Sequence, residues 1–116
     1  MQRRFRLTRS EDFRRVRRSG KSYAHPLLVL VVQAGDPDQL HVGVAASRSI
    51  GTAVKRNRAK RLLREAIRTL IPSLVRGRDI LLIARPPLAS CSIFEVHEAL
   101  LMLLRRADLI ISSDAA

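Results

Sequence analysis

Apolar residues recur along this chain with different spacings, and each spacing predicts an element. From Ala53 to Ile71 they fall three and four apart, at Ala59, Leu62, Leu63, Ala66, Ile67 and Leu70. That spacing predicts a helix with one apolar stripe, stopped by Pro72. Arg56, Asn57, Lys60, Arg61, Arg64 and Arg68 fill positions on the opposite side. Leu27–Gln33 and Asp79–Ala84 are short, nearly continuous apolar runs. Leu40–Ala46 sets Leu40, Val42 and Val44 against His41 and Gly43. All of these read as strands. Gly35-Asp36-Pro37-Asp38 is a turn, and Leu27–Gln33 and Leu40–Ala46 can form a hairpin through a loop of about six residues. Tyr23 and Ala24 add a short strand before Pro26.

Two capping boxes place the remaining helices. Thr8 with Glu11 predicts a helix from about Arg9 to Arg18 that stops near Gly20, with Phe13 and Val16 on one face. Ser92 with Glu95 opens a helix to about Ile110. Met1 to Leu7 is basic and irregular, and the tail from residue 112 is expected to fray. The order is helix, strands, helix, strand, helix, with no internal repeat. It predicts an α+β fold, a two-layer α/β sandwich, in a single domain spanning 1–116. The Leu40–Ala46 strand, the Ala53 helix and the Asp79 strand can make a parallel crossover, which the general rule would make right-handed.

Composition sharpens this picture. Aromatic residues make up 3% of the chain, so the core must be aliphatic. The single cysteine, Cys91, excludes an intrachain disulfide. No apolar run approaches the roughly 20 residues of a membrane span. No apolar segment follows the basic N-terminus as a secretory signal would require. A soluble, cytoplasmic protein without a membrane partner is expected.

The net charge is +12, and 19 of the 22 basic residues are arginine. The charge is segregated: residues 1–68 hold 17 of the 22 bases and 5 of the 10 acids. Such an excess favours a polyanionic partner, and arginine grips phosphates through a bidentate fork and stacks on bases. Between Arg48 and Arg68 stand eight bases and one acid, Glu65. A solvated helix face usually mixes the two signs. A membrane-surface helix fits the basic amphipathic pattern, but this stripe is Ala and Leu without Trp or Phe. Phe13 is either a core residue or a platform on which an unpaired base stacks, and Tyr23 has the same two readings. His25, His41 and His97 have no metal-ligand spacing with Cys91. The scattered acids do not form the carboxylate cluster of a metal-dependent nuclease, and there is no Gly-rich phosphate loop or GxSxG elbow. The chain does not read as a self-sufficient catalyst.

One segment resembles a known family. Lys55-Arg56-Asn57-Arg58-Ala59-Lys60-Arg61-Leu62-Leu63-Arg64-Glu65, preceded by Val42-Gly43-Val44 and Ser47-Arg48-Ser49-Ile50-Gly51, is similar to the signature of the bacterial ribonuclease P protein component. Leu7, Ser10-Glu11-Asp12-Phe13, Val16 and Gly20 resemble that family's first helix. Ile83-Ala84-Arg85-Pro86 resembles its last strand and turn. The likeness covers roughly residues 3–108. It implies a four-stranded sheet and, against the general rule, a left-handed crossover. It also implies a subunit of an endoribonuclease that removes the 5' leader from precursor transfer RNA. The partners implied are a catalytic RNA subunit and precursor transfer RNA, with no obligate protein partner. Catalytic groups and Mg2+ would lie in the RNA, leaving none in the protein. Arg48, Lys55, Arg56, Asn57, Arg58, Lys60, Arg61, Arg64 and Arg68 would bind RNA. Phe13, Arg14, Arg17 and Val31 would meet the leader. The family has further aromatics in its leader cleft where this chain has Arg17 and, near the strand position, Val31. A ribosomal or RNA-chaperone protein is the alternative, because it too needs basic faces on a small α/β fold.

Overall fold

The computed structural model describes residues 3–111. The tail expected to fray lies outside them. A one-turn 3-10 helix at Arg3–Phe5 leads to helix α1 (Ser10–Ser19). Strands β1 (Lys21–Ala24), β2 (Leu28–Ala34) and β3 (Leu40–Ala46) follow, then helix α2 (Ala53–Leu70), strand β4 (Arg78–Ala84) and helix α3 (Ile93–Arg106).

The composition of β4 accounts for the topology. Ile80, Leu81, Leu82 and Ala84 are all buried, so this strand needs cover on both faces and belongs inside the sheet. The strand order is β1-β2-β4-β3. β4 runs antiparallel to β2 and parallel to β3. The hairpin that β2 and β3 could make therefore does not form: β4 lies between them, and β2 pairs with β1 on its other edge. The parallel crossover from β3 through α2 to β4 is present. The outer edge of β3 is partly covered by the N-terminal segment, where the Leu7 N–H donates to the Val42 carbonyl at 2.9 Å.

Strand alternation divides the apolar residues between two faces. Leu28, Leu30, Leu40, Val42, Val44, Ile80 and Leu82 face α2 and α3 and form the main core with Leu63, Ile67, Leu100 and Leu103. Val31 and Leu81 point the other way, toward Leu7 and Val16. α1 thus adds a partial third layer to the sandwich.

Local chemistry sets the helix ends. The Ser92–Glu95 capping box forms as expected. The Thr8–Glu11 box does not: α1 starts at Ser10, with Arg9 at the cap position and no side-chain cap bond. Leu7 is already tied to β3, which leaves Thr8 outside the cap position. α2 is capped by Thr52, whose hydroxyl accepts from the Lys55 N–H at 3.2 Å. Before it, Gly51 has φ 112, a conformation that favours glycine. α3 ends at Arg106 rather than near Ile110. Asp108 turns with φ 58, which lets Leu109 enter the core and Ile110 bridge to Leu74.

Candidate nucleic-acid interface

The face of the sheet that carries α1 is built in rows. Strand register aligns Gln33, Asp79 and His41 in the first row, Val31, Leu81 and Gly43 in the second, and Val29, Ile83 and Ala45 in the third. In the first row, Arg15 of α1 donates to Asp79 Oδ2 at 2.7 Å and also bonds Gln33. His41 Nδ1 lies 3.1 Å from Asp79 Oδ1. Asp79 is the one buried charged residue among those described. Its hydrogen bond raises the pKa of Arg15 above the ordinary arginine value. Over the second row sit Val16, fully buried, and Phe13, half-buried. Gly43 makes room for the aromatic ring: a methyl at that position would lie 2.8 Å from ring carbons of Phe13.

Beyond α1 the third row is left uncovered. Val29, Ile83 and Ala45 are only half-buried and, with Val31, line a groove of about 680 Å³. Arg17, Arg48 and Arg85 stand around it with Ser22 and Ser47. None of those arginines is in a salt bridge among the described residues. The result is a trough with an aliphatic lining and uncompensated guanidinium charge, suited to a flexible polyanion with apolar parts, such as a single-stranded nucleic acid.

The expected leader contacts separate here. Arg17 and Val31 line the groove. Phe13 packs into the small apolar cluster beside it. Arg14 is exposed on α1 and reaches back to Ser10 at 3.5 Å. Arg48 lies on a 3-10 turn ahead of α2 and belongs to the groove. Arg85 is not among the expected site residues, although its odd number continues the series Asp79, Leu81, Ile83 on the α1 face. Arg15, unlike Arg14 and Arg17, is engaged by Asp79.

The second basic surface is α2. Ala59, Leu63, Ala66, Ile67 and Leu70 are buried. Lys55, Asn57, Arg58, Arg61 and Arg68 are exposed, but Arg56, Lys60 and Arg64 are half-buried. At about 100° per residue, positions 56, 60 and 64 climb one flank of the apolar stripe rather than lying opposite it, a correction to the expected two-sided helix. Long basic side chains at such half-buried positions lay their alkyl stems on apolar surface and keep the charged head in water. Arg68 pairs with Glu65 at 2.6 Å. This hydrogen bond lowers the Glu65 pKa and raises that of Arg68, so Arg68 is the most compensated of the α2 cations. Both basic regions carry the chemistry of RNA contact, on opposite faces of one sheet.

Comparison with known proteins identifies the family. The family model described as Ribonuclease P matches residues 1–108. The ribonuclease P protein component of Herpetosiphon aurantiacus is 39% identical over 109 residues, covering 94% of this chain and 89% of that protein. That of Chloroflexus aurantiacus is 40% identical over 111 residues, covering 95% and 82%. Among solved structures, the Staphylococcus aureus RNase P protein superposes with a TM-score of 0.80 at 27% identity, covering 91% of this chain and 97% of that one. The Thermotoga maritima RNase P protein gives 0.75 at 31% identity, covering 90% and 97%. With the motif on α2, the mixed four-stranded sheet and near full-length similarity in agreement, the chain belongs to the bacterial ribonuclease P protein family, the protein subunit of ribonuclease P.

Proposed function

We propose that this subunit divides its two RNA contacts between the two sides of its sheet. The exposed flank of α2 holds the catalytic RNA, and the groove beside α1 takes the 5' leader of precursor transfer RNA. The observation that carries this reading is the uncovered third row, an aliphatic strip flanked by Arg17, Arg48 and Arg85. Among the described residues, no aromatic side chain lines that groove. The leader is therefore held by its phosphates and by contact of its sugars and base edges with Val29, Val31 and Ile83, and sequence preference is weak. α2 is long, regular and backed by the main core, which suits a fixed, folded RNA surface.

Bond cleavage is assigned to the RNA partner and its Mg2+. In this reading the buried carboxylate has a structural partner instead: Asp79 is held by Arg15 and His41. The protein's part is to bind, orient and neutralise, and the cytoplasm, where precursor transfer RNA is made, is its place of work.

The test is the ratio of precursor to mature transfer RNA affinity in the reconstituted holoenzyme. Arg17→Ala and Arg85→Ala are each expected to lower that ratio several-fold while leaving mature transfer RNA binding unchanged. An unaltered ratio in both variants would remove the leader from this groove. In the same assay, RNA-free protein with magnesium is expected to leave the precursor uncut.

A further inference from the structure

We infer that Asp79 is a positioning residue for the leader groove: through Arg15 it fixes α1 over the first two rows of the sheet, which keeps the third row open and Arg17 at its edge. The inference rests on the groove being the leader site.

α1 is poorly anchored by apolar contact. Its ten residues include two apolar ones, Val16, fully buried, and Phe13, half-buried. An isolated helix of that length is not stable by itself in water, and so small an apolar contact leaves its tilt and sliding along the strands weakly determined. The polar first row supplies the missing restraint. Arg15 reaches Asp79 of β4 and Gln33 of β2, while His41 of β3 holds the other carboxylate oxygen. One residue of α1 is thereby tied to adjacent central strands.

The core does not require a carboxylate here. The neighbouring rows on this face are filled by Val31, Leu81, Val29 and Ile83, and a buried ion pair is commonly no more stabilising than apolar residues of similar volume. What it adds is direction, since a guanidinium engages a carboxylate in a defined geometry. The backbone closes tightly over the acid: a methyl on Gly35 would lie 2.8 Å from Asp79 Oδ1. The carboxylate therefore has little room to follow a shifted helix. Arg15 and Arg17 lie on the same short helix, so a shift that releases Arg15 also moves Arg17 relative to Val29 and Ile83.

The experiment uses the full-length protein reconstituted with the catalytic RNA, in Asp79→Asn, Arg15→Ala and Arg15→Lys variants, with Arg17→Ala as reference. Asp79→Asn and Arg15→Ala are each expected to lower the precursor-to-mature affinity ratio by about three- to tenfold, the effect of one weakened leader contact. Affinity for the catalytic RNA stays unchanged, because α2 lies on the other face. The double variant falls no further than the single ones, since both cut the same tie. Arg15→Lys, which keeps the charge without the fork, recovers part of the ratio. A purely structural role lowers the melting temperature and leaves the ratio of the folded protein intact. Should Asp79→Asn fold poorly, Arg15→Ala at its half-exposed position decides alone. A wild-type ratio in folded Asp79→Asn or Arg15→Ala, with Arg17→Ala still impaired, overturns the positioning role and spares the groove. A wild-type ratio in Arg17→Ala and Arg85→Ala as well overturns both.

Discussion

At position 43 the absence of a side chain decides where an aromatic ring rests. The Phe13 ring occupies the space that a methyl on Gly43 would fill, and Leu7 and Val16 pack around it. Gly43→Ala is expected to lift the ring and cost about 1–3 kcal/mol, as overpacking usually does, measured by denaturant unfolding. A wild-type unfolding midpoint would mean that the ring has another seat. Phe13 has two readings in the sequence, core residue or stacking platform, and its place over Gly43 makes it part of the cluster that seats α1. Nothing in the spacing of Phe13 and Val16 points to Gly43, because the contact joins residues thirty positions apart through the folded sheet.

Among the elements, α2 and α3 test the electrostatics most simply. Arg56→Ala, Arg58→Ala and Arg61→Ala are each expected to weaken binding to the catalytic RNA and to flatten the logarithmic salt dependence by about 0.7–0.9 for each phosphate no longer neutralised. A salt slope unchanged in all three would show that these cations meet no phosphate. In α3, the Ser92 N–H and hydroxyl hold the Glu95 carboxyl below its usual range. A depressed carboxyl pKa stabilises the fold above the usual carboxylate value, and that contribution disappears as pH falls through the folded value. Ser92→Ala should therefore lower the melting temperature most at neutral pH, and the gap from wild type should narrow between about pH 6 and pH 3. A gap that stays constant with pH would leave the effect to the cap alone.

These elements also mark what the sequence could reveal. The helical spacing from Ala59 to Leu70, the Ser92–Glu95 box and the strand runs are local signals, and each produces its element. Strand order is not local. The turn at Gly35–Asp38 invites a hairpin, yet the more apolar β4 claims the central position between β2 and β3. The α2 signature is legible for the same reason as the helix, since it is contiguous. The groove is legible only in part. Resemblance to the family points to Arg17 and Val31, while Arg48, Arg85, Ser22 and Ser47 join them only because register and the turn after β3 bring them together.

For the protein as one body, the sheet acts as a partition. α2 and α3 cover one side, and α1 covers two of the three rows on the other. The chain carries a net charge of +12, and part of it stands on each side: Arg17, Arg48 and Arg85 at the groove, and the basic residues of α2 on the other. This arrangement lets one small chain hold a folded RNA and a flexible strand at once, provided that the two ligands take opposite sides. Photo-crosslinking from single engineered thiols examines that division most directly. Cys91→Ser removes the native thiol, and the probe is then placed at Ser22→Cys beside the groove or at Val54→Cys on the exposed start of α2. In the reconstituted holoenzyme bound to precursor transfer RNA, the Ser22→Cys probe should attach to leader nucleotides and the Val54→Cys probe to the catalytic RNA. Attachment of both probes to the same RNA, or a Ser22→Cys product that persists unchanged with mature transfer RNA, would contradict the two-sided division.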